Sequence, residues 1–249
     1  AKEVFDTTPY TILVVDDNPD MTDFLKRTFE GYFKRIIIAG DGVEALQLVR
    51  SHVPDIIVSD VMMPRMNGYK LCKTIKENIN ISHIPVILLT ARDDRQSQIS
   101  GYKNGADGYL SKPFEVEMLM ELIRNRLKNR EYTKKRYLNA GLIPTPEEST
   151  ISLTDETFLI KLNSIIQENI DNTNLGIQFI CQEVGLGRSS LYNKLKALTG
   201  MGANEYISKL RIEKAITLIS GTDMPFSEIA EKTGFTTPSY FSTAFKQYT

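Results

Sequence analysis

Ile56-Ile57-Val58-Ser59-Asp60-Val61-Met62-Met63-Pro64-Arg65-Met66-Asn67-Gly68 decides the fold. Its three leading apolar, β-branched residues read as a strand buried on both faces, and the run ends on a carboxylate at its C-terminal side. Working outward, similar short runs occur at Ile12-Leu13-Val14-Val15, Ile36-Ile37-Ile38, Val86-Ile87-Leu88-Leu89 and Gly108-Tyr109-Leu110. Between them apolar residues repeat at helical spacing: Phe24, Leu25 and Phe29, then Ala45, Leu46 and Val49, then Leu71 and Ile75, and finally Leu119, Leu122, Ile123 and Leu127. Five strands alternating with five helices predict an α/β doubly wound five-stranded parallel sheet, whose ligand crevice lies at the carboxyl ends of the strands.

That edge is where the reactive side chains fall. Asp16 and Asp17 follow the first strand, Asp60 the third and Lys112 the fifth, while Thr90 ends the fourth. Three carboxylates packed together are unfavourable unless a cation neutralises them, and hard oxygen ligands suit Mg²⁺. With Mg²⁺ and Lys112 offsetting the charge of an incoming phosphoryl group, one carboxylate can act as nucleophile and form an aspartyl phosphate, and Asp60 is the central candidate. Taken singly, Asp16-Asp17 or Thr90 reads as a helix cap, Lys112 as a solvated lysine and Tyr109 as a half-buried strand aromatic. Their common place at successive strand ends favours the functional reading. His52 and His83 join no ligand cluster and read as surface or loop residues.

The 249-residue chain is long enough for two domains, and 41% hydrophobic with 24% charged residues fits a water-soluble globular protein. No apolar run approaches the roughly 18 residues that cross a bilayer, and Ala1-Lys2-Glu3 lacks the apolar core of a signal peptide. A first residue other than Met suggests a processed chain or a piece of a longer one. Cys72 and Cys181 sit apart among apolar neighbours and are expected to be buried, reduced thiols, which fits a cytoplasmic location. Net charge is −1, excluding a uniformly basic nucleic-acid coat, but residues 184–220 carry a local net of +4.

Residues 1–130 form the predicted first domain. Periodicity then fades through a polar stretch containing Pro144 and Pro146, so 131–152 reads as a linker. Residues 153–249 show no strand signal and are expected to be all-α, beginning with the helical set Phe158, Leu159, Leu162, Ile165 and Ile166. This half contains an internal repeat. Glu183-Val184-Gly185-Leu186 resembles Lys232-Thr233-Gly234-Phe235, and Leu191, Leu195 and Lys196 match Phe241, Phe245 and Lys246. Each copy reads as helix, glycine-containing turn, helix, the composition of a helix-turn-helix, with one helix over about 203–219 between the copies. Ser189, Ser190, Asn193 and Lys196 are left outside the apolar stripe of the first copy, and Ser239, Thr243, Lys246 and Gln247 outside that of the second. Small polar faces of this kind suit the edges of bases in a major groove, with Arg188, Lys194, Lys209 and Arg211 assigned to phosphates.

Val14-Val15-Asp16-Asp17-Asn18, Ser59 to Gly68, Leu89-Thr90-Ala91 and Ser111-Lys112-Pro113-Phe114 resemble the response-regulator receiver domain in order and spacing. The resemblance implies a flavodoxin-like fold in which Asp60 accepts phosphate from a phosphohistidine donor. Asp16, Asp17, Asp60 and the backbone carbonyl of Met62 would hold Mg²⁺. Lys112 would pair with the phosphate and precede a cis peptide at Pro113, and Thr90 and Tyr109 would carry the switch to a face built from the fourth helix, fifth strand and fifth helix. Gly185 to Tyr192, Leu198-Thr199-Gly200, Tyr206 to Ala215, Ile229 to Phe235 and Ser239 to Ser242 resemble the AraC-type DNA-binding domain. The family usually continues beyond the second recognition helix with a glycine and a proline-containing segment, so the C-terminal end at Thr249 is expected to be truncated.

Together these resemblances imply a two-component transcriptional regulator that dimerises on phosphorylation and grips promoter DNA. Its histidine kinase partner is either separate or on the same polypeptide, as in a hybrid sensor, which would place this segment at the cytoplasmic end of a membrane-anchored protein without direct membrane contact. It would be no enzyme beyond its own phosphorylation and dephosphorylation, with any kinase activity outside this chain. An Mg²⁺-dependent aspartyl-phosphate phosphatase is one alternative, but such enzymes place a second acid two residues after the nucleophile, where Met62 stands. A phosphate-sink interaction module that does not bind DNA is the other.

Overall fold

In a computed structural model of the chain, residues 4–91, 105–140 and 152–248 are described. They divide into two compact units, residues 1–132 and 133–249.

The first unit carries strands β1 (Thr11–Val15), β2 (Arg35–Ala39), β3 (Ile56–Asp60), β4 (Val86–Ala91) and β5 (Gly108–Lys112) in one parallel sheet, ordered β2-β1-β3-β4-β5. Its helices are α1 (Pro19–Phe29), α2 (Gly42–His52), α3 (Gly68–Glu77) and the first part of α4 (Val116–Ala140), whose residues from Thr133 onward belong to the second unit. Alternation along the strands sorts the core into two layers. Leu13, Val15, Ile37, Ile57 and Leu88 pack with Ala45, Val49, Leu71 and Ile75 of α2 and α3. Ile12, Val14, Ile56, Val58 and Ile87 pack instead with Leu25 and Phe29 of α1 and Leu119 and Ile123 of α4. The doubly wound sheet read from the sequence is thus the observed one. The fourth helix expected between Ala91 and Gly108 falls largely on residues 92–104, outside the described residues, and so does much of the expected switch face.

Short polar residues start the helices. Asn18 accepts from Asp20 N ahead of Pro19, Asp41 accepts from Val43 N and Glu44 N, and Asn67 accepts from Lys70 N. The α1 cap is therefore Asn18, leaving Asp16 and Asp17 for other work. The first part of the expected linker is helical, because α4 runs on through residues 131–140 to Ala140. Thr133 and Tyr137 are buried in that stretch, so tertiary packing supports helix in a segment whose local sequence shows no apolar periodicity.

The second unit contains α5 (Leu153–Glu168), α6 (Ile177–Val184), α7 (Arg188–Thr199), α8 (Ala203–Gly221), α9 (Phe226–Lys232) and α10 (Pro238–Tyr248). Helix pairs α6–α7 and α9–α10 are the two predicted helix-turn-helix copies, with α8 between them. Gly185 (φ +70°) and Gly234 (φ +71°) occupy matching left-handed turn positions, where a side chain is disfavoured. Phe235, Phe241 and Ala244 form a core with Ile212 and Ala215 of α8 and Ile229 and Ala230 of α9.

Candidate functional site

The parallel topology delivers Asp16, Asp60, Thr90 and Lys112 to one sheet edge. Lys112 Nζ lies 2.8 Å from Asp16 Oδ2 and 2.5 Å from Asp60 Oδ1. Asp60 Oδ2 accepts from Met62 N at 2.7 Å, and Asp16 Oδ1 accepts from Asn18 N at 2.9 Å. Both carboxylates are buried, at 3% and 7% exposure. Burial raises the Asp60 carboxyl above its ordinary range, against the hydrogen bond and charge of Lys112. Burial also works against the Lys112 ammonium, but its two hydrogen-bonded carboxylates outweigh that and hold its pKa up. Lys112-Pro113 is cis, as the resemblance implied.

Two buried carboxylates sharing one cation make a pocket built for positive charge, and their hard oxygens fit Mg²⁺. Among the described residues, however, no three His, Cys, Asp or Glu side chains gather closely enough to hold a metal. Of the expected acids, Asp16 and Asp60 are buried and share Lys112, while Asp17 is exposed beside Asp16 in sequence. Met21, Phe24, Met62 and Phe114 line a cavity of about 560 Å³ over Asp60 and Lys112, and Met62 is 73% exposed. Thr90 is buried next to Leu89, the register partner of Asp60, and its hydroxyl has no hydrogen bond among the described residues. Tyr109 is half-buried.

The loop after Asp60 has features that sequence reasoning missed. Arg65 adopts φ +58°, a left-handed conformation that non-glycine residues disfavour, and its guanidinium pairs with the buried Asp41 at the start of α2. Met66 O accepts from Gly42 N at 3.2 Å. Nothing in the local pattern distinguishes Arg65 from an ordinary surface arginine. His83 lies, as expected, in a loop, the turn before β4, but is buried there, and His52 is half-buried. Cys72 is buried as expected, but Cys181 is only half-buried on the short helix α6.

In the second unit Arg188, Ser189 and Lys196 are exposed on α7, while Ser190 and Asn193 are half-buried. Ser239, Thr243 and Lys246 are exposed on α10. The side chain of Gln247 lies outside the described residues. Tyr192 and Tyr240, exposed by 55% and 52%, flank these faces and were not among the expected contacts.

Residues 12–124 match the response regulator receiver domain, and residues 180–249 match a helix-turn-helix domain. Over 165 residues, 61% of this chain and 70% of the relative, the chain is 36% identical to the response regulator MprA of a Mycobacterium species. The chain belongs to the response regulators. It is also 40% identical over 237 residues to histidine kinase P4 of Formosa agariphila, where the match spans 95% of this chain but 17% of the relative. A third relative, the DNA-binding response regulator MtrA of Mycolicibacterium smegmatis, is 35% identical over 55% of this chain and 58% of its own length.

This response regulator pairs its receiver with an AraC-type helix-turn-helix domain, and three cations assigned to DNA phosphates prove to be internal. Lys194 is fully buried and pairs with Asp155 near the start of α5, with its ammonium 5.0 Å from the Phe158 ring centroid. Lys209 donates to the carbonyl of Tyr137. Arg211 donates to the carbonyls of Ile170 (3.2 Å) and Asn172 (2.6 Å) and lies over Phe235. The positive charge counted along residues 184–220 therefore overstates the charge available to a ligand. Periodicity alone does not separate an outward lysine from one that meets a carboxylate 39 positions away. Asp155 had a local disguise, since Ser152 and Asp155 also close the first turn of α5.

Proposed function

We propose that this chain is a phosphorylation-switched transcriptional regulator. Asp60 accepts a phosphoryl group from a histidine kinase, and the modification controls dimerisation and sequence-specific DNA binding. The observation that carries this reading is the convergence of Asp60 and Asp16 on the Lys112 ammonium at the carboxyl edge of the sheet.

An Asp60 carboxylate oxygen attacks phosphorus, so an O–P bond forms as the P–N bond of the donor phosphohistidine breaks and the electron pair returns to the imidazole. Lys112 stays within reach of the transferred group and offsets its charge in a pocket where burial strengthens the attraction. Met62 N–H holds the second carboxylate oxygen and sets the direction of attack. Mg²⁺, held by Asp16, Asp60, the Met62 carbonyl and the neighbouring Asp17, would supply further charge neutralisation. The exposed apolar rim of Phe24 and Met62 suits a kinase helix approaching Asp60. Thr90, whose buried hydroxyl has no hydrogen bond among the described residues, can turn to a new phosphoryl oxygen, and Tyr109 follows into the space it vacates.

For the second unit, exposed Arg188, Ser189 and Lys196 on α7 and Ser239, Thr243 and Lys246 on α10 support groove contact, with Ser190 and Asn193 behind the first set. Two such helices would enter successive major grooves, about 34 Å apart. The 95% coverage of this chain by a histidine kinase relative supports a kinase on the same polypeptide, with this segment at its cytoplasmic end.

The test is labelling with a small-molecule phosphodonor. Asp60→Asn abolishes incorporation, and persistent labelling refutes the assignment. Asn193→Ala and Lys196→Ala each weaken promoter binding by about 1–3 kcal/mol, and unchanged affinity in both removes α7 as a reader.

A further inference from the structure

Helix α5 belongs to neither helix-turn-helix copy, yet it and the loop that follows it reach both, the first at α7 and the second at the Gly234-Phe235 turn by way of Arg211 of α8. At its N-terminal end Asp155, 2% exposed, pairs with Lys194, which projects inward from α7. Ser152 Oγ donates to the other Asp155 oxygen at 2.8 Å, so that carboxylate is held on both sides. In the loop that follows α5, the carbonyls of Ile170 and Asn172 accept from Arg211 of α8. The same guanidinium lies over Phe235 in the turn of the second copy, with its central carbon 5.9 Å from the ring centroid. Phe235 in turn packs on Phe241 of α10 at 5.2 Å and on Tyr240 at 5.7 Å. The space is closed as well as bridged, because a Cβ on Gly234 would lie 2.3 Å from Ile170 O and 2.6 Å from an Arg211 nitrogen.

We propose that α5 and the loop that follows it form a strut that sets the separation and phase of the two recognition helices, holding α7 through Asp155 and Lys194, and the Phe235 turn that packs on α10 through Arg211 of α8. The 16 residues of α5 span about 24 Å. Buried, charged hydrogen bonds at both ends suit a strut because each has a single satisfied geometry, whereas apolar contacts alone allow sliding. Lys194, Arg211 and Asp155 are positioning residues that act through the helices they hold and touch no nucleic acid. The inference rests on the DNA-binding reading above.

The experiment uses the full chain, with and without a small-molecule phosphodonor, and duplexes that the wild-type chain selects from a random-sequence pool. The best duplex is remade with its two half-sites moved apart or together by one and two base pairs, and with one half-site scrambled. One base pair shifts a half-site by about 3.4 Å and about 34°, so the wild-type chain loses at least roughly tenfold in affinity per step. Arg211→Lys keeps a buried cation but loses the fork that bridges two carbonyls. It binds the best duplex at least about threefold more weakly and flattens the spacing preference to under roughly threefold, while binding the first half-site alone as the wild type does. Asp155→Leu with Lys194→Met removes the first tie without stranding a charge. It flattens the same profile and leaves the salt dependence of binding unchanged.

A wild-type spacing profile in both variants overturns the strut while leaving DNA binding intact. A drop of about one in the salt slope for the double variant also overturns it, since Lys194 would then contact a phosphate. If the wild-type chain selects no duplex at all, the DNA-binding reading fails, and the strut fails with it.

Discussion

Gly68→Ala tests whether the phosphoacceptor strand is held from behind. Gly68 opens α3 directly under Asp60, and its N–H donates to Val61 O at 3.0 Å. A Cβ at this position would sit 2.2 Å from the Asp60 carbonyl oxygen and 3.0 Å from Val61 Cα. Both obstacles are backbone, so no side chain can swing aside, and either α3 or the end of β3 must move by about an ångström. Forcing one extra carbon into a packed site costs about 1–3 kcal/mol. Taking 2 kcal/mol, the β3 amides should exchange with solvent deuterium roughly 30-fold faster, and displacement of Asp60 from Lys112 should slow labelling by a small-molecule phosphodonor. Hydrogen exchange over residues 56–68, followed by mass spectrometry, reads the first effect, and phosphate incorporation reads the second. Gly221→Ala is the control, because nothing lies within 4 Å of its Cβ and its φ is not positive; it should be neutral or stabilising by under about 1 kcal/mol. Exchange within twofold of wild type together with unchanged labelling would refute the reasoning.

Three other outcomes follow from burial and charge. The folded-state pKa of Asp60 is raised, so its carboxyl favours folding at acid pH and loses that contribution as pH rises through the folded value. Asp60→Asn should therefore raise the melting temperature of metal-free protein at pH 7, with the gain shrinking towards pH 3; a gain independent of pH counts against it. Lys194→Met alone strands the buried Asp155 carboxylate and should cost about 3–5 kcal/mol in denaturant unfolding, most of which Asp155→Leu restores in the double variant; equal losses in the single and double variants would contradict a buried pair. Burial pushes the Cys72 thiol up to about 12, so an alkylating reagent at pH 8 should modify the half-buried Cys181 in the native chain and reach Cys72 only after unfolding. Comparable rates at the two thiols would show the α3 packing to be wrong.

The five strands of the parallel sheet, both helix-turn-helix copies and the gathering of Asp16, Asp60, Thr90 and Lys112 were legible in the sequence. Each follows from local pattern, since apolar runs mark buried strands and a parallel sheet carries the residues after its strands to one edge. The Lys112–Asp16 and Lys112–Asp60 pairs needed only that topology. The reach of α4 to Ala140 was less legible, because Thr133 and Tyr137 become core residues only when something distant covers them.

What the sequence determined by itself is therefore the set of elements and the side on which their reactive ends meet, because periods of 2 and 3.6 are properties of neighbouring residues. What only the tertiary structure decided is the fate of long cationic side chains. Lys194, Lys209 and Arg211 have the composition and spacing of nucleic-acid contacts, yet each turns inward to an oxygen from a remote part of the chain: the Asp155 carboxylate, the Tyr137 carbonyl, and the carbonyls of Ile170 and Asn172. A buried cation keeps its charge only where such partners replace water, and the position of those partners is set by packing across helices, which no local pattern records.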